Sequence, residues 1–344
     1  MTPTRLMTLL VAVAAAGPAA AQAPDPTRPK VVVRVSRAFV ENLTSRTFDD
    51  VSPVATTQKG ATIVGTSRLS GGFTVAFHKS PTEAAFDIRA DGTVDTDLGV
   101  TRRPVCVALD GHAGFCAARR ITFDGDTYAG GPVGVEANYA STLEGIGTLR
   151  RGPFAPVIRR VARPVVLGSL PEADRAAAAE VRARARDKMT EKTDRVVAIL
   201  NAVHDVNAEV IQKLRDRDLV PDKGRPVLAT TDDALLGGLG FPEGSPLALP
   251  AAAGGPSGPV EIWVYRPLSP AQRVLLDRIL AEAKEKWGKD VKPRFVAEVA
   301  RHSPDLARRA ENATHEVTID VPGAPGWHRI RFFRDLHDAA PPAP

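Results

Sequence analysis

Cys106 and Cys116 are the only thiols in the chain, and the reaction that two thiols at this spacing suit is oxidation to a disulfide. Asp110-Gly111 between them has the composition of a hairpin turn. With Asp110 to His112 as a three-residue loop, Leu109 pairs with Ala113, and counting outward sets Cys106 opposite Cys116 on two adjacent antiparallel strands. Opposed residues that exchange no hydrogen bonds lie with Cα atoms about 4.5 Å apart, a separation that a disulfide spans. The expected bond closes a short loop and contributes about 2–3 kcal/mol; two buried thiols are the alternative. Zinc is not expected here, because tetrahedral coordination needs two further ligands and His112, on the turn, is the single candidate nearby.

Other polar clusters have plainer readings. Asp91, Asp95 and Asp97, and Asp124-Gly125-Asp126, lack the spaced ligands and terminal glutamate of a calcium loop and read as hairpin turns. His204 with Glu209, and His315-Glu316, lack the i,i+4 histidine pair of a zinc protease helix, and His204 falls in an apolar helix seam. Gly237-Gly238-Leu239-Gly240 leads into a proline-rich stretch with no Lys-Ser/Thr, unlike a phosphate loop. No Gly-x-Ser-x-Gly elbow is present. Asn42-Leu43-Thr44 matches a glycosylation sequon, usable only with the right export machinery. The expectation is therefore no catalytic residue, no metal and no cofactor.

The elements that would position a site follow from periodicity. Val31, Val33 and Val35 alternate as a strand, and Ser36 caps a short helix through Phe39, Val40 and Leu43. From Val51 to about Leu149, Phe73/Val75/Phe77, Phe86/Ile88, Val94/Leu98/Val100, Val105/Val107/Leu109 and Ile121/Phe123 each alternate. Turn residues separate them at Gly71-Gly72, Ser80-Pro81, Asp91-Gly92, Asp110-Gly111 and Asp124-Gly125. This predicts an antiparallel meander with one apolar face, which needs a cover. Glu172 to Asp218 has neither Gly nor Pro and carries Met189, Val196, Ile199, Leu200, Val203, Val206, Val210 and Leu214 near heptad spacing. That seam suits one or two long helices docked on the protein's own core, ahead of a dimeric coiled coil. The face of Phe73, Val75, Phe77, Phe86 and Ile88, opposite the helix, is the candidate surface for an apolar ligand.

The expected fold class is α+β: an antiparallel β-meander sheet packed with a long helix, plus a small C-terminal α+β unit. The expected division is a signal peptide at 1–21, a Pro-rich leader at 22–30, the meander domain at 31–150, a Pro-punctuated connection at 151–171, the long helix or helices at 172–218, a loop or linker at 219–259, the α+β unit at 260–335 and a disordered tail at 336–344. In the α+β unit Val260, Ile262 and Val264 form a strand, and Ser269 with Pro270 opens a helix. This strand and Ser-started helix echo Val31 to Leu43, a pattern open to duplication or to chance.

Arg5, the apolar run from Leu6 to Ala16 and Ala19-Ala20-Ala21 before Gln22 have the layout of an export signal. No later run reaches about 18 apolar residues, and no cysteine near the cleavage site accepts a lipid. The expected product is soluble, periplasmic or extracellular, with no transmembrane segment in the mature chain. The formal charge of +5 falls by one with Arg5. Basic residues mix with acidic ones and aromatics are sparse, which argues against nucleic acid as a partner and leaves room for a weak attraction to anionic envelope surfaces.

Residues Val31 to about Ala162 resemble the opening of a group of exported bacterial proteins of uncharacterised function. The likeness lies in Val31-Val32-Val33-Arg34-Val35-Ser36-Arg37-Ala38-Phe39-Val40-Glu41-Asn42-Leu43, then Ile63-Val64-Gly65-Thr66, then the basic Val157-Ile158-Arg159-Arg160-Val161-Ala162 before a long charged helix. The same order is similar to the tubular lipid-binding (TULIP-like) fold, in which a curved sheet wraps a long helix around an apolar groove. The resemblance implies no catalytic residues. The expected function is an exported non-enzymatic protein that binds a lipid or another apolar small molecule, or an envelope protein partner. A structural envelope protein with a closed core comes second and an exported hydrolase third.

Overall fold

The computed structural model describes residues 29–332 apart from 45–46, 59, 150–151, 217–219, 222–223, 243, 248, 251–258, 287–288, 290–291, 303, 314–315 and 319–320. The expected signal peptide and C-terminal tail lie outside the described residues. Strand β1 (Lys30–Ser36) runs directly into α1 (Arg37–Thr44), where Ser36 Oγ accepts the Phe39 N–H at 3.2 Å and so caps the helix.

Five strands follow in an antiparallel meander, in chain order across the sheet: β2 (Thr47–Gln58), β3 (Ala61–Phe77), β4 (Ala84–Arg102), β5 (Val105–Phe123) and β6 (Tyr128–Thr148). They are longer than the turn residues suggested. Ser80-Pro81 lies in the turn between β3 and β4, and at the β5–β6 turn Asp124 Oδ1 accepts the N–H groups of Asp126 and Thr127, each at 2.8 Å. Gly71-Gly72, Asp91-Gly92 and Asp110-Gly111 instead lie within strands, with Gly71 paired to Gly92.

This register overturns the expected disulfide. Cys106 and Cys116 stand on one strand, β5, and both are free. Ten residues of extended chain separate them by about 33 Å. Cys106 faces Thr101 and Gly147, and Cys116 faces Asp91 and Glu136. A local Asp-Gly signal predicts a hairpin, but Asp110-Gly111 is paired on both sides, by β4 without a break and by β6 with one register shift between Ala108 and Leu109, and that ladder outweighs local turn preference.

Helix α2 (Ala155–Arg215) is 61 residues long, about 90 Å at 1.5 Å per residue. It starts at Ala155 rather than Glu172, running through Pro164 and Pro171. Each proline deprives the carbonyl four residues earlier, Arg160 or Leu167, of its intrahelical donor; both prolines lie on exposed positions. The chain then forms the hairpin β7 (Val227–Thr230) and β8 (Ala234–Leu239), followed by β9 (Val260–Tyr265), α3 (Pro270–Lys286), α4 (Lys292–His302), α5 (Pro304–Asn312), β10 (Glu316–Thr318) and β11 (Trp327–Phe332). Ser269 and Gln272 open α3 with a reciprocal cap: Ser269 N–H donates to Gln272 Oε1 at 3.0 Å, and Gln272 N–H to Ser269 Oγ at 3.4 Å.

A second antiparallel sheet has the order β10-β11-β9-β1-β8-β7. Strand β1, buried on both faces save at Val33, is central in it, as a near-continuous valine run requires. The smaller mixed α+β region thus includes the first strand of the chain. Thr230 joins the two sheets: its Oγ1 donates to the Glu83 carbonyl at 2.7 Å and accepts the Ala85 N–H at 3.0 Å. No helix among the described residues is long and apolar enough to cross a membrane.

Candidate functional site

The inner face of the meander has two unlike halves. Near the second sheet, Phe86 and Ile88 are 0% exposed and Val75 is buried, in one core with Met189, Val196, Leu200 and Val203 of α2 and Phe39 and Val40 of α1. Phe73 and Phe77 are partly buried and pack against that core. The five residues of the expected ligand face are brought together, but side chains of the protein itself fill the space in front of them. Polar ties hold the helix there. Asn201 Oδ1 accepts the Tyr128 N–H at 2.7 Å while its Nδ2 donates to the Tyr128 carbonyl at 3.1 Å. Arg119 Nη1 donates to Thr193 Oγ1 and Asp194 Oδ1, each at 2.6 Å.

An aromatic partition ends this sealed half. Phe48 meets Phe73 edge-on at 5.4 Å and stacks near Phe115 at 6.3 Å. The glycine pair Gly71 and Gly92 makes room for these rings: a Cβ on Gly92 would meet the Phe115 ring at 2.8 Å, closer than packed atoms approach. Further along, Tyr139 shares a 2.7 Å hydrogen bond with Thr96 Oγ1, and burial pushes the Tyr139 pKa up. Ser141 Oγ donates to Asp174 Oδ1 of α2 at 2.6 Å.

Beyond the partition the same apolar face continues with less cover, although Val107 of β5 is still buried there. Ile63, Leu98, Val100, Leu109, Leu143 and Ile146 are only half-buried, and strand pairing with the two-residue alternation places them on the inward side. Helix α2 presents Ile158, Ala162, Val166 and Leu170 at i,i+4 spacing, also half-buried. The helix rests on β6 and β5 and touches β4 lightly, with no comparable contact to β2 or β3. The β2–β3 side of this apolar trough is the one that α2 covers least. A separate depression of about 430 Å³ is lined by Gly99, Cys106, Val107, Ala108, Gly145, Ile146 and Gly147. Alternation places Gly99, Cys106, Ala108, Gly145 and Gly147 on the outer face and Val107 and Ile146 on the inner one, so most of that hollow's lining lies outside the trough.

The polar residues offer less. Among the described residues, no group of three or more His, Cys, Asp or Glu side chains is placed to hold a metal. His78–Asp87 at 2.9 Å and His112–Asp95 at 2.7 Å are cross-strand pairs on partly exposed positions. The Cys116 thiol is pushed up in pKa, chiefly by its hydrogen bond to Asp91, which disfavours the nucleophilic thiolate. His204 packs edge-on against Phe123 at 5.1 Å, and burial lowers its pKa against the opposing pull of Asp205, Asp126 and Asp124.

Two features escaped the sequence reading. One is the less covered half of the trough, whose Leu98, Val100 and Leu109 alternation was visible but indistinguishable from core. The other is a row of charges across the second sheet, buried at Arg34, Glu261 and Arg331 and partly exposed at Glu316. Arg34, Glu261, Arg331 and Glu316 are paired in register. Arg34 also bonds Asp233 at 2.9 Å, Arg331 meets Glu316 at 2.5 Å, and Trp263 Nε1 donates to Glu261 at 3.0 Å. No single-strand pattern reveals such a row, because each charge looks solvent-facing until its neighbours are known.

Comparison with protein-family models and with curated proteins returns no match. Among solved structures, the chain is similar to a lipopolysaccharide binding protein at 9% identity and a TM-score of 0.26, over 69% of this chain and 57% of that one. The chain thus spans a little over half the length of that protein.

Proposed function

We propose that this is an exported, non-enzymatic protein that holds an elongated apolar, lipid-like ligand in the less covered half of the trough. The observation that carries the reading is the contrast along one continuous face. Val75, Phe86 and Ile88 are sealed, whereas Ile63, Leu98, Val100, Leu109, Leu143 and Ile146 remain half-buried under a helix that covers the β2–β3 side least. Apolar clefts with few polar groups suit ligands recognised by shape and burial rather than by chemistry.

A fluorescent fatty acid, titrated into the purified protein, tests this. Saturable binding is expected, and Leu98→Trp, which fills the trough from its floor, is expected to abolish it while the far-UV spectrum stays unchanged. Val75→Trp acts on the sealed half instead and destabilises by about 1–3 kcal/mol through overpacking. Native mass spectrometry of protein taken from its own compartment should show an accompanying lipid. Absence of binding by the unaltered protein would leave the structural role with a closed core, which the sealed half already favours.

A further inference from the structure

The exposed large apolar side chains are concentrated in one place. Of the ten among the described residues, six, Leu149, Phe154, Val157, Val161, Val165 and Leu167, lie at the start of α2 or just before it, with Phe154 73%, Val157 58%, Val161 64% and Val165 69% exposed. At about 100° per residue, Val157, Val161 and Val165 fall within about 80° of arc, beside the half-buried row of Ile158, Ala162 and Val166. Arg159, Arg160 and Arg163 are exposed, and the same geometry sets Arg159 and Arg163 on the far side of the helix from the valines and Arg160 about 60° from Val157, at the edge of their flank. Between Glu144 and Glu172 the sequence holds five arginines, Arg150, Arg151, Arg159, Arg160 and Arg163, and no Asp or Glu. Farther along α2, arginines are neutralised one turn away, as in the pairs Arg184–Glu180 and Arg195–Glu191. The register brings exposed Arg102 and Arg103 to this same end, where Leu149 N–H bonds the Pro104 carbonyl at 2.9 Å.

We propose that this end of the molecule docks on an anionic phospholipid bilayer, with the Val157/Val161/Val165 flank entering the headgroup boundary and the arginines facing lipid phosphates. A helix with aliphatic residues on one side and arginines on the other matches the interfacial helices that lie in a membrane surface. A second copy of the chain does not fit, because a symmetric contact would set the arginine clusters against each other. The surface is distinct from the trough floor and does not require the trough to hold a ligand.

Co-sedimentation of the purified protein with vesicles tests the proposal, using phosphatidylcholine alone and phosphatidylcholine mixed with phosphatidylglycerol. Binding to the mixed vesicles is expected, weakening as salt is raised, with far less to phosphatidylcholine alone. Arg159→Glu and Arg160→Glu should each lower partitioning by at least about fivefold, whereas Arg186→Glu, the same change farther along α2, should alter it by less than about twofold. Val161→Asp should remove binding and Val161→Trp should show a blue-shifted emission on mixed vesicles, with far-UV spectra confirming that each variant folds. No binding to mixed vesicles would overturn the proposal and leave an acidic protein as the partner for this face. Equal weakening by Arg159→Glu and Arg186→Glu, or full binding by Val161→Asp, would overturn it as well.

Discussion

Cys116 faces Asp91 across β4 and β5, and the carboxylate holds the thiol in its protonated form. Since the thiolate is the reactive species, Cys116 should alkylate slowly for an exposed cysteine, and Asp91→Asn should speed it several-fold; equal rates in both proteins would show that Asp91 does not control the thiol. Non-reducing mass mapping should return Cys106 and Cys116 as free thiols even from an oxidising compartment, because one strand cannot fold back on itself to join them. His204 gives a pH dependence with a definite sign. Burial depresses its folded pKa, so the unfolded chain binds the proton more tightly. The stability that neutral His204 contributes is therefore complete above about pH 6.5 and is lost as pH falls through the folded value. His204→Phe should flatten that part of the stability profile in urea titrations, and an unchanged slope would assign the loss to other groups.

At the scale of elements, the meander, its apolar face and the seam on α2 were legible because period-two and near-heptad patterns survive any tertiary context. Strand ends were not. Gly71, Gly92 and Asp110-Gly111 carry turn chemistry, yet here the missing side chains serve the inside of a sheet, where Phe48, Phe115 and Tyr139 occupy the space. Gly92→Ala should therefore cost about 1–3 kcal/mol, measured as a lowered urea midpoint, although alanine is the better strand residue on propensity alone; a neutral result would mean that both the Phe115 ring and the Ser70 carbonyl, the nearest atom to the added Cβ, give way freely. The same limit applies to α2. Pro164 and Pro171 read locally as breaks, yet the helix runs continuously through both. Pro171→Ala restores the donor to the Leu167 carbonyl and should raise stability by up to about 3 kcal/mol. A fall in melting temperature would instead indicate that the proline shapes the path of the helix over the trough.

The whole molecule is knitted by a strand that the chain lays down first. β1 has no partner in the meander that follows it and pairs with β8 and β9, some two hundred residues away in sequence, as the numbering of Val31↔Leu239 and Val31↔Val264 shows. No reading of local pattern assigns that pairing, although the valine run of β1 announces a strand buried on both faces. The core confirms the union: Val31 and Val35 of β1, Phe86 and Ile88 of the meander, Leu200 of α2 and Ile262 of β9 belong to one cluster. Two sheets that share a core should unfold together. Tryptophan provides a clean observer, because Trp263, Trp287 and Trp327 all lie beyond residue 259, whereas far-UV circular dichroism reports α2 and the meander as well. The two probes should trace one coincident urea transition. Removing residues 260–344 should then leave a chain that resists proteolysis poorly throughout, the meander included, since β1 would lose β9 and the shared core would lie open. A tryptophan transition separated from the circular-dichroism transition, or a truncated chain with an intact protease-resistant meander, would show two independently stable bodies, and the trough would then need no support from the second sheet.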